Sequence, residues 1–491
     1  MSKKSSKASA EKSSGSQRVS NLIEIIRGLR LVPNDTSLIA ILPYGDRKER
    51  QSVDSSKFRE YILAEYHSLY EECPSDREIA NAITIVKVEW EKMPKLPMTY
   101  RVNYIDNAIY YDLFDNNLSY VEITDAGWEV RKNGTDYFIS GSAAKKQATP
   151  APCANGIDLL DTYLNLSDDA TFFFKICAIC CFHPEIIVPI LYFQGEKGTG
   201  KSAMLQILGE LVDPSLIQKS NLDSLSERDM GLSLSKSFLT SFDNVSRISR
   251  SQSDLLCQAV TGGMSPYRKL YTNDEIITYD LQCRVGISAI HDCIRADDLE
   301  QRIVKFHAKP INERKRMDEV NFWKSFAKDK PFILGDIFEL LSIALKIYPL
   351  IRKKLKRRHR LASFTEFGYA VASAMQPDGG GERFMSLLDD NADIEQVLSE
   401  QDKLFVQAIE GVMSLDEATH YENDAKALYD TVDMYVSEYD AEAFDGFVLG
   451  DYLAFIKKLR RLRPALERKL LVVAFSRTKD NTSYVTIEKV A

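Results

Sequence analysis

The sequence predicts an α/β protein, and three observations predict it. An apolar, strand-like run, Ile190-Leu-Tyr-Phe-Gln194, enters a glycine-rich turn, and the run Ala203–Val212 leaves that turn as a helix. A second strand-like run, Ser235-Lys-Ser-Phe-Leu-Thr-Ser-Phe242, ends in an acid, Asp243. Strand-like runs then recur as far as Ile290, and helices dominate from Glu313 onward. These features place a core over residues 150–375. An α+β domain (22–142) precedes it and a smaller unit (383–491) follows.

The turn reads Gly195-Glu196-Lys197-Gly198-Thr199-Gly200-Lys201-Ser202, a G-x-x-x-x-G-K-S pattern in the strand–turn–helix context that its chemistry needs. Its glycines let backbone N–H groups converge on phosphate oxygens, because no Cβ blocks the approach. The helix starting near Lys201 adds its N-terminal partial charge. Lys201 is placed to reach the β- and γ-phosphates of ATP, and the Ser202 hydroxyl to hold Mg²⁺. At ordinary composition the pattern arises by chance roughly 0.02 times in a chain this long.

Composition sets limits on the rest. With 491 residues and 44% hydrophobic residues, the chain can bury a sizeable core. Lys and Arg number 63 against 71 Asp and Glu, giving a net charge of −8. Nucleic-acid binding would therefore come from local basic clusters, not from a basic coat. Eight cysteines in apolar surroundings read as reduced thiols of a cytoplasmic protein. Cys177-Ala-Ile-Cys180-Cys181 has no second pair at zinc spacing and reads as buried helix. No signal peptide or run of membrane-spanning length stands out, so no membrane partner is expected.

Residues 1–21 are rich in Ser, Lys and Ala and are expected to be a disordered tail. Val53–Glu72 and Asp76–Lys92 read as amphipathic helices. Asn107–Asp115, Leu118–Thr124, Trp128–Arg131 and Asp136–Ile139 read as short antiparallel strands with turns at Asp115-Asn-Asn117, Asp125-Ala-Gly127 and Asn133-Gly134. Gly141–Asn155 reads as a linker. Ile157–Leu166 and Asp168–Cys181 resume a helical period. Pro266–Leu270 and Glu275–Leu281 read as a hairpin, and Gln376-Pro-Asp-Gly-Gly-Gly381 as a hinge. The chain's end reads helix (Gly450–Leu462), helix (Pro464–Leu470) and two strands (Leu471–Ser476, Ser483–Glu488), a winged-helix outline.

ATP hydrolysis needs phosphate positioning, a metal, an oriented water and a cation as the γ-phosphate departs. Residues Gly195–Ser202 supply the first, and Ser202 with Asp243 the metal site. Asn244 follows the strand-end acid; it can orient a water but cannot take its proton. Glu196 is the alternative. Arg302, closing Asp298-Leu-Glu-Gln-Arg302, and Arg360, before Leu-Ala-Ser-Phe, suit the cation. Either donated by a neighbouring subunit would couple hydrolysis to a closed ring. Basic clusters at 352–360 and at Lys457-Lys458-Leu-Arg460-Arg461-Leu-Arg463 suit phosphate contacts or a solvated helix face.

The loop, Phe242-Asp-Asn-Val-Ser, Leu256-Cys-Gln-Ala-Val-Thr-Gly-Gly, Arg268-Lys-Leu-Tyr-Thr, Asp298–Arg302 and Arg360-Leu-Ala-Ser-Phe stand in order. Together they resemble the AAA+ ATPases of phages and mobile elements. That group is similar to the helicases of staphylococcal pathogenicity islands and cassette chromosomes, and more distantly to minichromosome maintenance and superfamily 3 helicases. The resemblance implies an AAA+ P-loop NTPase core, with ATP and Mg²⁺ as cofactors. It also implies a homo-hexameric helicase on DNA, with single strand in the pore and a trans arginine at Arg302. Duplex origin DNA would meet the winged-helix-like C-terminal domain. Two positions depart from the pattern. Ser288 stands where a polar Asn sensor is usual, and the hairpin tip is Thr272-Asn-Asp-Glu275, leaving Arg268 and Lys269 as its basic residues. An ATP-gated origin-binding scaffold is the alternative reading. A primase–helicase is disfavoured, because the N-terminal segment lacks polymerase-like metal carboxylates.

Overall fold

The computed structural model describes residues 14–489 apart from 35–36, 46, 135, 142, 269–275, 311–317, 356–358, 393–399, 415–419, 440–443, 445–446, 464–465, 467–468, 470 and 478–482. The chain is mixed α/β and divides into two compact units, Met1–Met385 and Ser386–Ala491.

The first unit opens with α1 (Gly15–Arg27), β1 (Arg30–Pro33), β2 (Leu38–Tyr44), β3 (Arg47–Ser52), α2 (Ser56–Tyr70) and α3 (Asp76–Trp90). Serines set these helix starts. Ser14, Ser55 and Ser75 each accept a backbone N–H of the first turn, and Ser75 completes a capping box with Glu78. Helix α1 therefore begins inside the expected 1–21 tail, since Leu22 and Ile26 bury against Phe58, Ile62 and Ile83. The antiparallel sheet β1-β2-β3 was not read from the sequence. Its outer strand, Arg-Lys-Glu-Arg-Gln-Ser, carries no apolar alternation.

Next come β4 (Thr99–Tyr100), β5 (Val102–Ile105), β6 (Ala108–Asp112), β7 (Tyr120–Thr124), β8 (Gly127–Arg131) and β9 (Phe138–Ile139). Strands β6 to β8 form the antiparallel run the turn signals predict, and β5, which pairs antiparallel with β6, was not read from the sequence. β9 leaves that run and pairs parallel with β4, correcting the expected fourth strand.

Residues 141–155 do not hang free as a linker. The Lys145 N–H donates to Pro214 O, Gln147 N–H to Leu113 O and Ala151 N–H to Pro331 O, each at 2.9 Å. Gln147 is buried and its Nε2 donates to Tyr111 Oη at 2.8 Å. Small residues make this strap possible, because a Cβ on Gly335 would collide with Ala151 O.

The core then runs α4 (Asp168–Cys180), β10 (Ile190–Gln194), α5 (Lys201–Val212), α6 (Glu227–Ser235), β11 (Leu239–Phe242), α7 (Arg250–Thr261), β12 (Gly263–Arg268), β13 (Ile276–Leu281), β14 (Arg284–Ala289), α8 (Asp297–Glu300), β15 (Ile303–His307), α9 (Glu319–Lys354), α10 (Ala362–Met375) and α11 (Gly380–Ala392). Ser235, expected in a strand, ends α6. Ile157–Leu166 begins as a 3₁₀ turn, Gly156–Thr162. The parallel sheet has the order β11-β14-β10-β15, and a parallel bridge from Ser220 to Phe242 extends it beyond β11. Its strands read as continuous apolar runs because helices cover both faces. Helix α5 lies close on β14, where a Cβ at Gly286 would stand 2.5 Å from Leu205 Cδ1. The expected hinge at 376–381 is a tight corner between α10 and α11, with Gly368 packed on the Phe384 ring.

The second unit contains α12 (Glu400–Ser414), β16 (His420–Asp424), α13 (Ala425–Met434), α14 (Tyr452–Arg461), β17 (Leu471–Arg477) and β18 (Ser483–Lys489). Its antiparallel sheet has the order β16-β18-β17 over a core including Phe405, Ile409, Leu428, Phe455, Leu459, Val473 and Ile487. β16, His-Tyr-Glu-Asn-Asp, was invisible to hydrophobic pattern. The expected helix 464–470 falls mostly, and the turn 478–481 wholly, outside the described residues. Among the described residues no helix is long and apolar enough to cross a membrane.

Candidate nucleotide and metal site

The loop Gly195–Ser202 follows the carboxyl end of β10, and α5 begins within it at Lys201. Gly198 and Gly200 take φ of 83° and 84°, the left-handed region where a side chain is strained. Gly200 offers no side-chain cap, so the first-turn N–H groups of α5 face the loop. Lys201 is buried, and its Nζ donates to Glu196 O at 2.5 Å and lies 3.5 Å from Thr199 Oγ1. Burial lowers its pKa, while the Asp243 carboxylate opposes that shift. Glu196, Lys197 and Gly198 are exposed and Thr199 is buried.

Asp243 leaves the end of β11 beside this loop. Its Oδ1 accepts from Ser202 Oγ at 2.8 Å and from Ser288 Oγ on β14. Ser288 Oγ in turn accepts the Asn244 N–H at 2.9 Å, and its carbonyl accepts the Val245 N–H at 2.8 Å. One serine thus fixes both the acid and the chain after it. Asn244 sits at φ 55°, which Asn tolerates better than most side chains, and it is exposed. Ser202 and Asp243 are hard oxygen donors in direct contact, a set that fits Mg²⁺, which keeps waters and phosphate oxygens in its remaining positions. Among the described residues no cluster of three or more His, Cys, Asp or Glu forms a site of another kind.

Two further residues join the site that the sequence did not announce. Lys219 Nζ lies 3.8 Å from Asp243 Oδ2, brought there by the Ser220 bridge to β11. Asn165 Nδ2 donates to Thr199 O at 3.0 Å and also to Lys309 O, tying the loop to the segment after β15. Neither belongs to a spacing pattern, because each arrives through non-local contacts.

Arg302 and Arg360 are brought together, but not at this loop. Ile190 pairs with Ile303 and Gln194 with His307, so Arg302 precedes the amino end of β15 while the loop follows the carboxyl end of β10. Five strand residues separate the two ends by ~16 Å. Arg302 Nη1 meets Asp298 Oδ1 at 2.5 Å and Asp298 O at 2.6 Å. Arg360 Nη2 meets the same Oδ1 at 2.5 Å.

For the basic clusters, Lys457 on α14 is exposed. Lys458 Nζ donates to Gln401 O at 2.9 Å, pairs with Asp402 at 3.3 Å and lies over the Phe405 and Phe447 rings. The Arg460 guanidinium lies over Phe475. The Arg461 and Arg268 side chains, Lys269, the hairpin tip 272–275 and residues 356–358 lie outside the described residues. All eight cysteines are free, and burial pushes the Cys181 thiol up to about 12.

Residues 157–393 match the family model of the actinomycete integrative conjugative element replication protein. The match supports a replication protein of a mobile element. No curated protein matches the chain. Among solved structures, the chain is similar to the apo structure of the NrS-1 C terminal region (305–718), at 11% identity and a TM-score of 0.40, covering 98% of this chain and 100% of that one. The A form apo structure of the same region aligns at 11% identity and a TM-score of 0.40, covering 95% of this chain and 98% of that one.

Proposed function

We propose that this replication protein is an ATP-hydrolysing DNA helicase or translocase working as a homo-hexameric ring with an AAA+ core. One observation carries the reading: Lys201 and Ser202 open a helix at the end of one parallel strand, and Asp243 leaves the end of β11, beyond β14 in the same sheet, to touch Ser202. That arrangement suits a nucleoside triphosphate with Mg²⁺ held by Ser202 and Asp243. The metal would neutralise charge between the β- and γ-phosphates. Lys201 would bind the γ-phosphate, the first-turn amides would orient it, and Asn244 would align the attacking water. The strand order, with the Ser220 segment beyond β11, supports the AAA+ assignment. Single-stranded DNA would occupy the pore, and α14 of the second unit would meet duplex DNA.

A second reading is an ATP-gated origin-binding scaffold. It is favoured by Asn244, which cannot accept a proton, and by the acidic hairpin tip of the sequence. ATP turnover with and without single-stranded DNA separates the two. A motor is stimulated several-fold and Lys201→Ala abolishes its turnover; a rate indifferent to DNA establishes the scaffold.

A further inference from the structure

Asp298 stands at the first turn of α8, four residues before Arg302, and Arg360 approaches it from the segment before α10. Both guanidinium groups meet one carboxylate oxygen, each at 2.5 Å, and Arg302 also holds the Asp298 carbonyl. Arg302 uses Nη1 for both contacts, Arg360 contributes Nη2, and Arg302 Nε is buried without a hydrogen-bond partner. Two cations share one anion, so the cluster keeps a net positive charge and donors to spare. Asp298 is 59% exposed and Arg360 43%, so that pair stabilises the fold by about 0–1 kcal/mol, while Arg302, at 14%, is mostly covered. The carboxylate's contribution is therefore to geometry. Left alone, two long cationic side chains would repel each other and spread over many rotamers.

We propose that Asp298 is a positioning residue that joins Arg302 and Arg360 into one two-arginine clamp, presented to the γ-phosphate bound by a second copy of this chain. The proposal rests on the ring reading above. The register supports it, since neither arginine lies at the phosphate end of its own sheet. Phosphate oxygens accept from the exposed N–H groups of the pair, the covered Arg302 Nε excepted, while Asp298 keeps the two forks side by side.

The test uses the full chain and the variants Asp298→Asn and Asp298→Glu. Asp298→Asn is expected to lower kcat about tenfold, as loss of alignment does. KM for ATP, nucleotide binding and the thermal midpoint stay within error, and Asp298→Glu regains part of the rate. Arg302→Ala, Arg360→Ala and the double variant are expected to lose nearly the same rate, because the pair acts as a unit. Mixing Asp298→Asn with Lys201→Ala restores turnover, since the first brings an intact phosphate loop and the second an intact clamp. A wild-type kcat in Asp298→Asn, or arginine losses that multiply, overturns the clamp. The ring reading has its own control: if Arg302→Ala mixed with Lys201→Ala regains nothing, the trans arrangement fails, whatever Asp298 does.

Discussion

His183 shows how far a single side chain can be moved from its ordinary chemistry. Its ring lies 4.5 Å from that of Tyr104 and 4.9 Å from that of Phe367, and its carbonyl accepts from the buried Arg284 guanidinium at 2.6 Å. Burial first, and the Arg284 charge second, depress its pKa to about 3. The unfolded chain takes that proton near pH 6.5 and the folded chain does not, so this contribution is full above pH 6.5 and declines below it. Between pH 7.5 and 5 the loss is about 2 kcal/mol, the slope approaching 1.36 kcal/mol per unit below pH 6. His183→Phe keeps a ring between Tyr104 and Phe367, and its denaturation midpoint should fall less over that interval, measured by denaturant titration at each pH. A parallel decline in both proteins would show that His183 is not the group responsible. The strand, turn and helix around Gly195–Ser202 were legible residue by residue because glycine placement, Lys201 and Ser202 are all local. Lys219, Asn165 and the meeting of both arginines on Asp298 were not, because each depends on a contact between distant segments.

At the scale of elements, local chemistry predicted helices well and sheet partners poorly. Apolar periods placed α2, α3 and α4, whose starts the structure caps with serines, and turn residues placed β6 to β8. Polar strands such as β3 and β16 carried no alternation, and the strap at 141–155 looked like a linker because Pro and Ala mark loops and close packing alike. Helix α14 shows the same limit, since Lys457 and Lys458 are adjacent in a basic run but face different surroundings. Lys457 is exposed, so Lys457→Glu should weaken duplex DNA binding and reduce the salt slope by about one unit, read by fluorescence anisotropy over a salt series. Lys458 is occupied by Gln401, Asp402 and two rings, so Lys458→Ala should cost about 1–3 kcal/mol of the second unit's stability instead. Equal DNA defects from the two changes, with no loss of stability from the second, would refute this division.

For the whole molecule, the decisive fact is that the Gly195–Ser202 loop and Arg302 lie at opposite ends of one parallel sheet, with Arg360 held near Arg302 through Asp298. A protomer reaching its own nucleotide with Arg302 would have to span the sheet, ~16 Å away along the strands. Turnover should therefore be a property of assemblies, with a specific rate that rises with protein concentration. Lys201→Ala lacks the loop's cation and Arg302→Ala lacks the neighbour's, and each alone should be inactive. In an equal mixture that assembles at random, about one interface in four joins an intact loop to an intact arginine in a closed ring. Turnover near a quarter of the wild-type rate is then expected at the equal ratio, falling away on either side, as read by phosphate release across a mixing series. A lower plateau of the same shape would mean that adjacent sites must fire together. A flat baseline at every ratio would return Arg302 to a purely structural role beside Asp298.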